Sequence, residues 1–178
     1  LLNNLGGLNL MLGKPDQAIE YLKSSYSTAL DADSKEEAAQ ATGSLAAVHL
    51  ELNDFEQAER FARQALSLLE GRVDFLHEIG PSQLVLGRAL MEQGRLDDAE
   101  EAFHEALAHE HGSVIGALGM QVVWEQRGDS DMTRHYAERT ATIWRGADAG
   151  SLERQLARLR RLASGPTLAT SPTRAAQR

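Results

Sequence analysis

Leu86-Gly87-Arg88-Ala89-Leu90-Met91-Glu92-Gln93-Gly94-Arg95-Leu96-Asp97-Asp98-Ala99-Glu100-Glu101-Ala102-Phe103 decides the fold, because its landmarks recur elsewhere at the same internal spacing. Leu86-Gly87, Gly94, Ala99, Phe103 and Ala106 align without gaps with Leu5-Gly6, Gly13, Ala18, Leu22 and Ser25. They align equally with Leu45-Ala46, Asn53, Ala58, Ala62 and Ala65. Such self-similarity at a fixed period marks a repeat architecture. The period is 40 residues from Ala18 to Ala58 and 41 from Ala58 to Ala99. A weaker fourth copy runs through Met120, Trp124, Gly128, Thr133, Ala137 and Thr140 after a spacing of 34.

Each copy reads as two helices around a tight turn. Ser34-Lys35-Glu36-Glu37 is a capping-box start, and Ala38, Ala41, Leu45, Val48 and Leu52 follow at helical spacing. Asn53 ends that helix, since Asn tolerates the left-handed conformation of a helix stop, and Gly13 and Gly94 hold the equivalent turns. Pro15 suits the first turn of the next helix, where no backbone N–H is needed. Ala18, Ala58 and Ala99, with Gly6, Ala46 and Gly87 on the facing helices, leave room for two helices to approach closely. No alternating apolar run suggests a strand. Gly80-Pro81 predicts that the first helix of the third unit starts near Pro81, with Phe75 and Leu76 in a separate segment or an extension of the preceding helix. Ser151 and the stripe Leu152, Leu156, Leu159 and Leu162 predict a last helix over 151–163 that covers the final apolar surface. Residues 164–178 lack apolar periodicity and are expected to be disordered.

These residues resemble the tetratricopeptide repeat (TPR). The likeness is carried by Asn3-Asn4-Leu5-Gly6-Gly7, Asp16-Gln17-Ala18-Ile19-Glu20-Tyr21-Leu22, Phe55-Glu56-Gln57-Ala58, Ala65-Leu66 and the stretch Leu86–Phe103, and covers about residues 1–145. The stretched period is similar to that of the longer repeats in kinesin light chains and in bacterial regulators with helical sensor domains. The family's first-helix Trp is absent from every unit. The resemblance implies an all-α, right-handed α-solenoid of antiparallel helix pairs with a C-terminal capping helix. Its units are about 1–31, 34–70, 81–110 and 113–146, within a domain spanning 1–163. It also implies a concave groove lined by the first helix of each pair. Carried onto this sequence, its contact positions are Asn3 and Asn4; Gln40, Ser44 and Glu51; Leu84, Arg88, Met91 and Glu92; and Val122 and Glu125. Only Arg88 among them is basic, so a chaperone-tail clamp, which needs several cations, does not fit.

The 178 residues suffice for one sizeable domain, and the formal net charge is −8. Residues 151–178 carry six Arg against Glu153, about +5, which leaves about −13 for the rest. An acidic body repels nucleic acid; the Arg-rich last helix reads as the wet face of a cap or as a contact for nucleic acid or an acidic partner. There is no Cys, which excludes thiolate sites and disulfides and fits a cytoplasmic protein. No apolar run is long enough to span a bilayer. His104 and His109 imitate a zinc-protease pair, but five residues place them roughly 140° apart on a helix. His109-Glu110-His111 is a minimal donor set, and acidic pairs such as Asp97-Asp98 suit helix starts rather than acid–base chemistry. No phosphate loop, nucleophile elbow or catalytic triad is legible.

The sequence therefore predicts a non-catalytic scaffold without cofactor that binds a protein or peptide. The alternative is the sensor or oligomerisation domain of a larger bacterial regulator. The start at Leu1 without Met reads as the cut end of a longer protein, and the excess of Arg over Lys suits a GC-rich bacterial source. Leu1, Leu2, Leu5 and Leu8 form an uncapped apolar face that would suit self-association.

Overall fold

The structure is a computed structural model that describes residues 1–71, 76–145 and 149–163, except the side chains of Leu76, Ala149 and residues 161–163. The expected disordered tail, 164–178, and Phe75 lie outside the described residues. Nine helices follow in order among the described residues: α1 (Leu2–Met11), α2 (Pro15–Asp31), α3 (Lys35–Glu51), α4 (Phe55–Leu69), α5 (Leu76–Glu92), α6 (Leu96–His109), α7 (Val114–Arg127), α8 (Ser130–Ile143) and α9 (Ala149–Ala163). No strand occurs among them, and none of the helices is long and apolar enough to cross a membrane.

The turns follow from the chemistry of their residues. Gly13, Gly94 and Gly128 take φ of 70°, 73° and 75°, and Asn53 takes 59°. In each case the next residue reaches back five positions: Lys14 N to Asn9 O at 2.9 Å, Asp54 N to His49 O at 2.9 Å, Arg95 N to Leu90 O at 3.0 Å and Asp129 N to Trp124 O at 3.1 Å. These bonds satisfy carbonyls that a helix end otherwise leaves unpaired. The weaker fourth unit closes in the same way. Ser34 caps α3 by accepting from the Glu37 amide, and Pro15 opens α2.

One boundary differs from expectation. Helix α5 starts at Leu76, with Pro81 inside it, rather than near Pro81. The proline falls early, where it removes one backbone bond. Gly80 before it has no Cβ to collide with the pyrrolidine ring.

The helices pair as α1–α2, α3–α4, α5–α6 and α7–α8, and consecutive pairs stack. The first helices also pack on one another, α1 on α3, α3 on α5 and α5 on α7. The second helices have no lateral packing of that extent, so the first helices form the inner layer of an α-solenoid. Ala18, Ala58 and Ala99 are completely buried between paired helices. A Cβ on Gly6 would lie 2.5 Å from Leu22 Cγ. A Cβ on Gly87 would lie 2.8 Å from the Phe103 ring, and one on Gly119 would lie 2.5 Å from its other end. Phe103 of α6, fully buried, is therefore clamped between bare backbone of α5 and α7.

Ion pairs strap successive units from outside the core. Arg95 at the α5–α6 turn reaches Glu59 of α4 at 2.8 Å. Arg127 at the end of α7 pairs with Asp97 and Glu100 of α6. Partial burial works against the Glu59 charge, but hydrogen bonds from Gln93, Arg63 and Arg95 outweigh it and hold its carboxyl below the usual range.

Candidate functional site: the inner face

The inner face divides into an open half and a covered half. The open half is a cleft of about 500 Å³ between α1, α3 and α5. Leu10, Met11, Ala47, Leu50, Val85, Arg88 and Glu51 are among the residues lining it. The apolar lining follows from the helical period, which turns one stripe of each first helix to the core and the next to the groove.

The covered half carries α9. This helix packs on α7 and α5 rather than mainly on α8, so it lies on the inner layer instead of simply closing the end of the stack. Leu159 is buried in the main core cluster, with Leu152 and Leu156 packed against it. Two salt bridges flank this contact. Arg158 Nη2 lies 2.7 and 2.6 Å from the two carboxylate oxygens of Glu51. Arg160 Nε lies 2.8 Å from Glu125 Oε2. The Arg160 hydrogen bond, against the opposing effect of burial, holds the Glu125 carboxyl below the usual range.

Acidic residues close the first helices on this face. Glu51 and Glu92 each stand seven residues ahead of the small residue of their unit, Ala58 and Ala99, and Glu125 occupies the end of α7. A carboxylate at a helix C-terminus opposes the macrodipole. Two of the three are compensated by the guanidinium groups of α9. Glu92 is not: its Oε1 is buried without a hydrogen-bond partner. Burial pushes the Glu92 carboxyl up to about 7, against the attraction of Arg88. Arg88 has a buried, unpartnered Nε, and burial together with the nearby Arg158 pulls its guanidinium below the usual value.

The residues named from sequence lie in different environments, and of them Glu51 and Arg88 line the cleft. Asn3 is half-buried with an unpartnered Oδ1, and Asn4 is exposed. Gln40 donates to Glu78 Oε1 at 2.9 Å, joining α3 to the start of α5. Ser44 and Leu84 are half-buried. Met91 and Val122 are each about 1% exposed and belong to the same cluster as Leu159, so no ligand reaches them in this arrangement. Glu51 and Glu125 are engaged by α9. The sequence predicts a last helix that covers the final apolar surface; the structure sets that helix on α7 and α5. Arg158 and Arg160 of the Arg-rich last helix stay about half exposed while they pair with Glu51 and Glu125; the carboxylates at the ends of α3 and α7 are the signal in the sequence for that pairing.

The histidines are dispersed. His49 stacks on Phe61 at 5.2 Å and bonds Asp54 at 3.1 Å. His104, His109 and His111 are exposed. No group of three or more His, Cys, Asp or Glu able to hold a metal occurs among the described residues. Trp124 packs half-buried against the core with Arg127 4.7 Å above its ring.

Two family models described as tetratricopeptide repeat match residues 1–71 and 84–120. With the stacked helix pairs, they show that the chain belongs to the tetratricopeptide repeat family. Among solved structures it is similar to a thermophilic TPR protein of Thermus thermophilus, with a TM-score of 0.63 at 19% identity over 89% of this chain and 79% of that one. It is also similar to MamA, with a TM-score of 0.61 at 19% identity over 80% of this chain and 75% of that one. At such identities the likeness shows the fold alone. No curated protein matches the chain.

Proposed function

We propose that the chain is a non-catalytic scaffold whose inner face binds a protein or peptide. The observation that carries this reading is the largely apolar cleft of about 500 Å³ between α1, α3 and α5, with Glu51 and Arg88 in its lining. A mixed lining of aliphatic side chains and a few charges suits a peptide or helix with both apolar and charged groups. The TPR groove positions Asn3, Asn4, Gln40, Ser44, Glu51, Arg88, Glu92 and Glu125 would supply polar contacts on this face, and Leu84 an apolar one. A cytoplasmic location fits the absence of Cys. No feature of the described residues favours the alternative of a regulator's sensor domain.

The test fills the cleft. Ala47 is half-buried on the inner face of α3 and Lys23 is exposed on the outer helix α2. Proteins co-purifying with the wild-type chain should be lost with Ala47→Arg and retained with Lys23→Glu. Equal recovery with both variants would contradict the use of this face.

A second reading concerns α1 and its flanks: of the expected face Leu1 and Leu8 are exposed and Leu2 and Leu5 half-buried, and Met11 and Leu12 are exposed as well. An apolar surface of that kind suits association with another copy of the chain. Light scattering after size exclusion should then show a dimer that dissociates in the variant Leu8→Lys plus Leu12→Lys; a monomer at high concentration refutes it.

A further inference from the structure

We infer that α9 is a tethered competitor on the inner face, holding the place of a partner's basic amphipathic helix. The inference rests on the inner-face binding proposed above and names the ligand chemistry and its control. The occupant is on the page. Helix α9 offers Leu152, Leu156 and Leu159 on one stripe and Arg158 and Arg160 beside it. The face offers apolar side chains of α5 and α7, with Glu51 and Glu125 in the positions the two arginines need. This is helix-in-groove recognition with charge complementarity at its edges.

The contact is built to be reversible. Arg158 and Glu51 are 44% and 41% exposed, and Arg160 is 50% exposed, so water screens both bridges. Only one α9 side chain among those described, Leu159, is fully buried. The docked helix also leaves Glu92 Oε1 and Arg88 Nε buried and unpartnered. An incoming helix that donates to Glu92 and accepts from Arg88 satisfies groups that α9 leaves unpaired, and so it displaces α9.

The experiment uses the full chain and a labelled synthetic peptide of residues 149–163. Arg158→Glu plus Arg160→Glu sets like charges against Glu51 and Glu125 while changing only exposed positions. Hydrogen exchange should show α9 amides losing protection while those of α3, α5 and α7 keep theirs. The peptide should then bind this opened chain at least ten times more tightly than wild type. A peptide with both arginines replaced by Glu should not bind. Adding Glu51→Arg and Glu125→Arg to the opened chain should restore α9 protection and close the face again. Leu159→Ser serves as an independent opening variant.

Protected α9 amides in both opening variants would overturn the inference, as would equal peptide binding to open and wild-type chains. Neither result touches the Ala47→Arg comparison, so failure of the competitor and failure of inner-face binding are distinguishable.

Discussion

Between α1 and α3 the inner face is an open apolar cleft; across α5 and α7 the same face lies under α9. Both halves derive from one repeat, with a small residue beside the turn and a left-handed residue closing each first helix. They differ in their close contacts. The covered half surrounds Phe103, clamped by Gly87 and Gly119, and its core cluster is the largest. The open half has a smaller cluster of Ala18, Leu22, Leu45 and Val48. The lesson is that a fixed pairing geometry accepts unequal burial along its length. The strongly packed units anchor a covering helix, while the lightly packed ones keep an accessible surface.

The largest expected loss falls at Phe103. Phe103→Ala should cost about 3–5 kcal/mol, because the two glycine backbones cannot close on the void. Urea unfolding should show the loss, and a smaller cost than for Leu22→Ala would reverse the ranking of the halves. Next is Gly119→Ala, whose Cβ would meet the Phe103 ring at 2.5 Å. Overpacking of this kind costs roughly 1–3 kcal/mol. In contrast, Gly7→Ala on exposed α1, with nothing within 4 Å of the added Cβ, should stabilise by about 0.5–1 kcal/mol. Opposite signs at two helical glycines, measured by denaturant midpoints, would sharpen the contrast.

Glu92 gives a pH-dependent version of the same test. Its carboxyl is raised to about 7, so the fold favours the protonated form. The penalty on the folded state is absent below the ordinary carboxyl value, grows as pH rises towards 7 and is fully present above it. Arg88 on the same helix, with Arg158 and Glu51 close to that guanidinium, are the charges around it. Glu92→Gln should therefore leave the melting temperature unchanged near pH 4.5 and raise it at pH 8. The smallest effect falls at the turn of the second unit, where Asn53 holds φ of 59°. Asn53→Gly should stabilise by a few tenths to about 1 kcal/mol, as glycine has no Cβ to oppose that conformation.

Much of the fold was legible because recurrence sums weak signals. Gly13, Asn53, Gly94 and Gly128 each mark a turn only modestly, but together they fix the register of four helix pairs. The start of α5 was misplaced because Pro81 was weighed without Gly80, which relieves the steric objection to a helix running through it. Gly119 was passed over because its reason, the Phe103 ring, lies on another helix and nearly half a repeat away. The groove residues were named from the pattern of first helices, yet their state was not visible. Whether Glu51 faces water or Arg158 depends on a contact between residues 107 positions apart, which no local period encodes.

The measurement that bears most directly on the covered half is the environment of Leu159 in solution. Methyl-labelled protein should give cross-relaxation between Leu159 methyls and methyl groups of α5 and α7, with Leu159 shifted away from its unfolded position. Sharp Leu159 methyls at unfolded shifts, without contacts to those helices, would contradict the account.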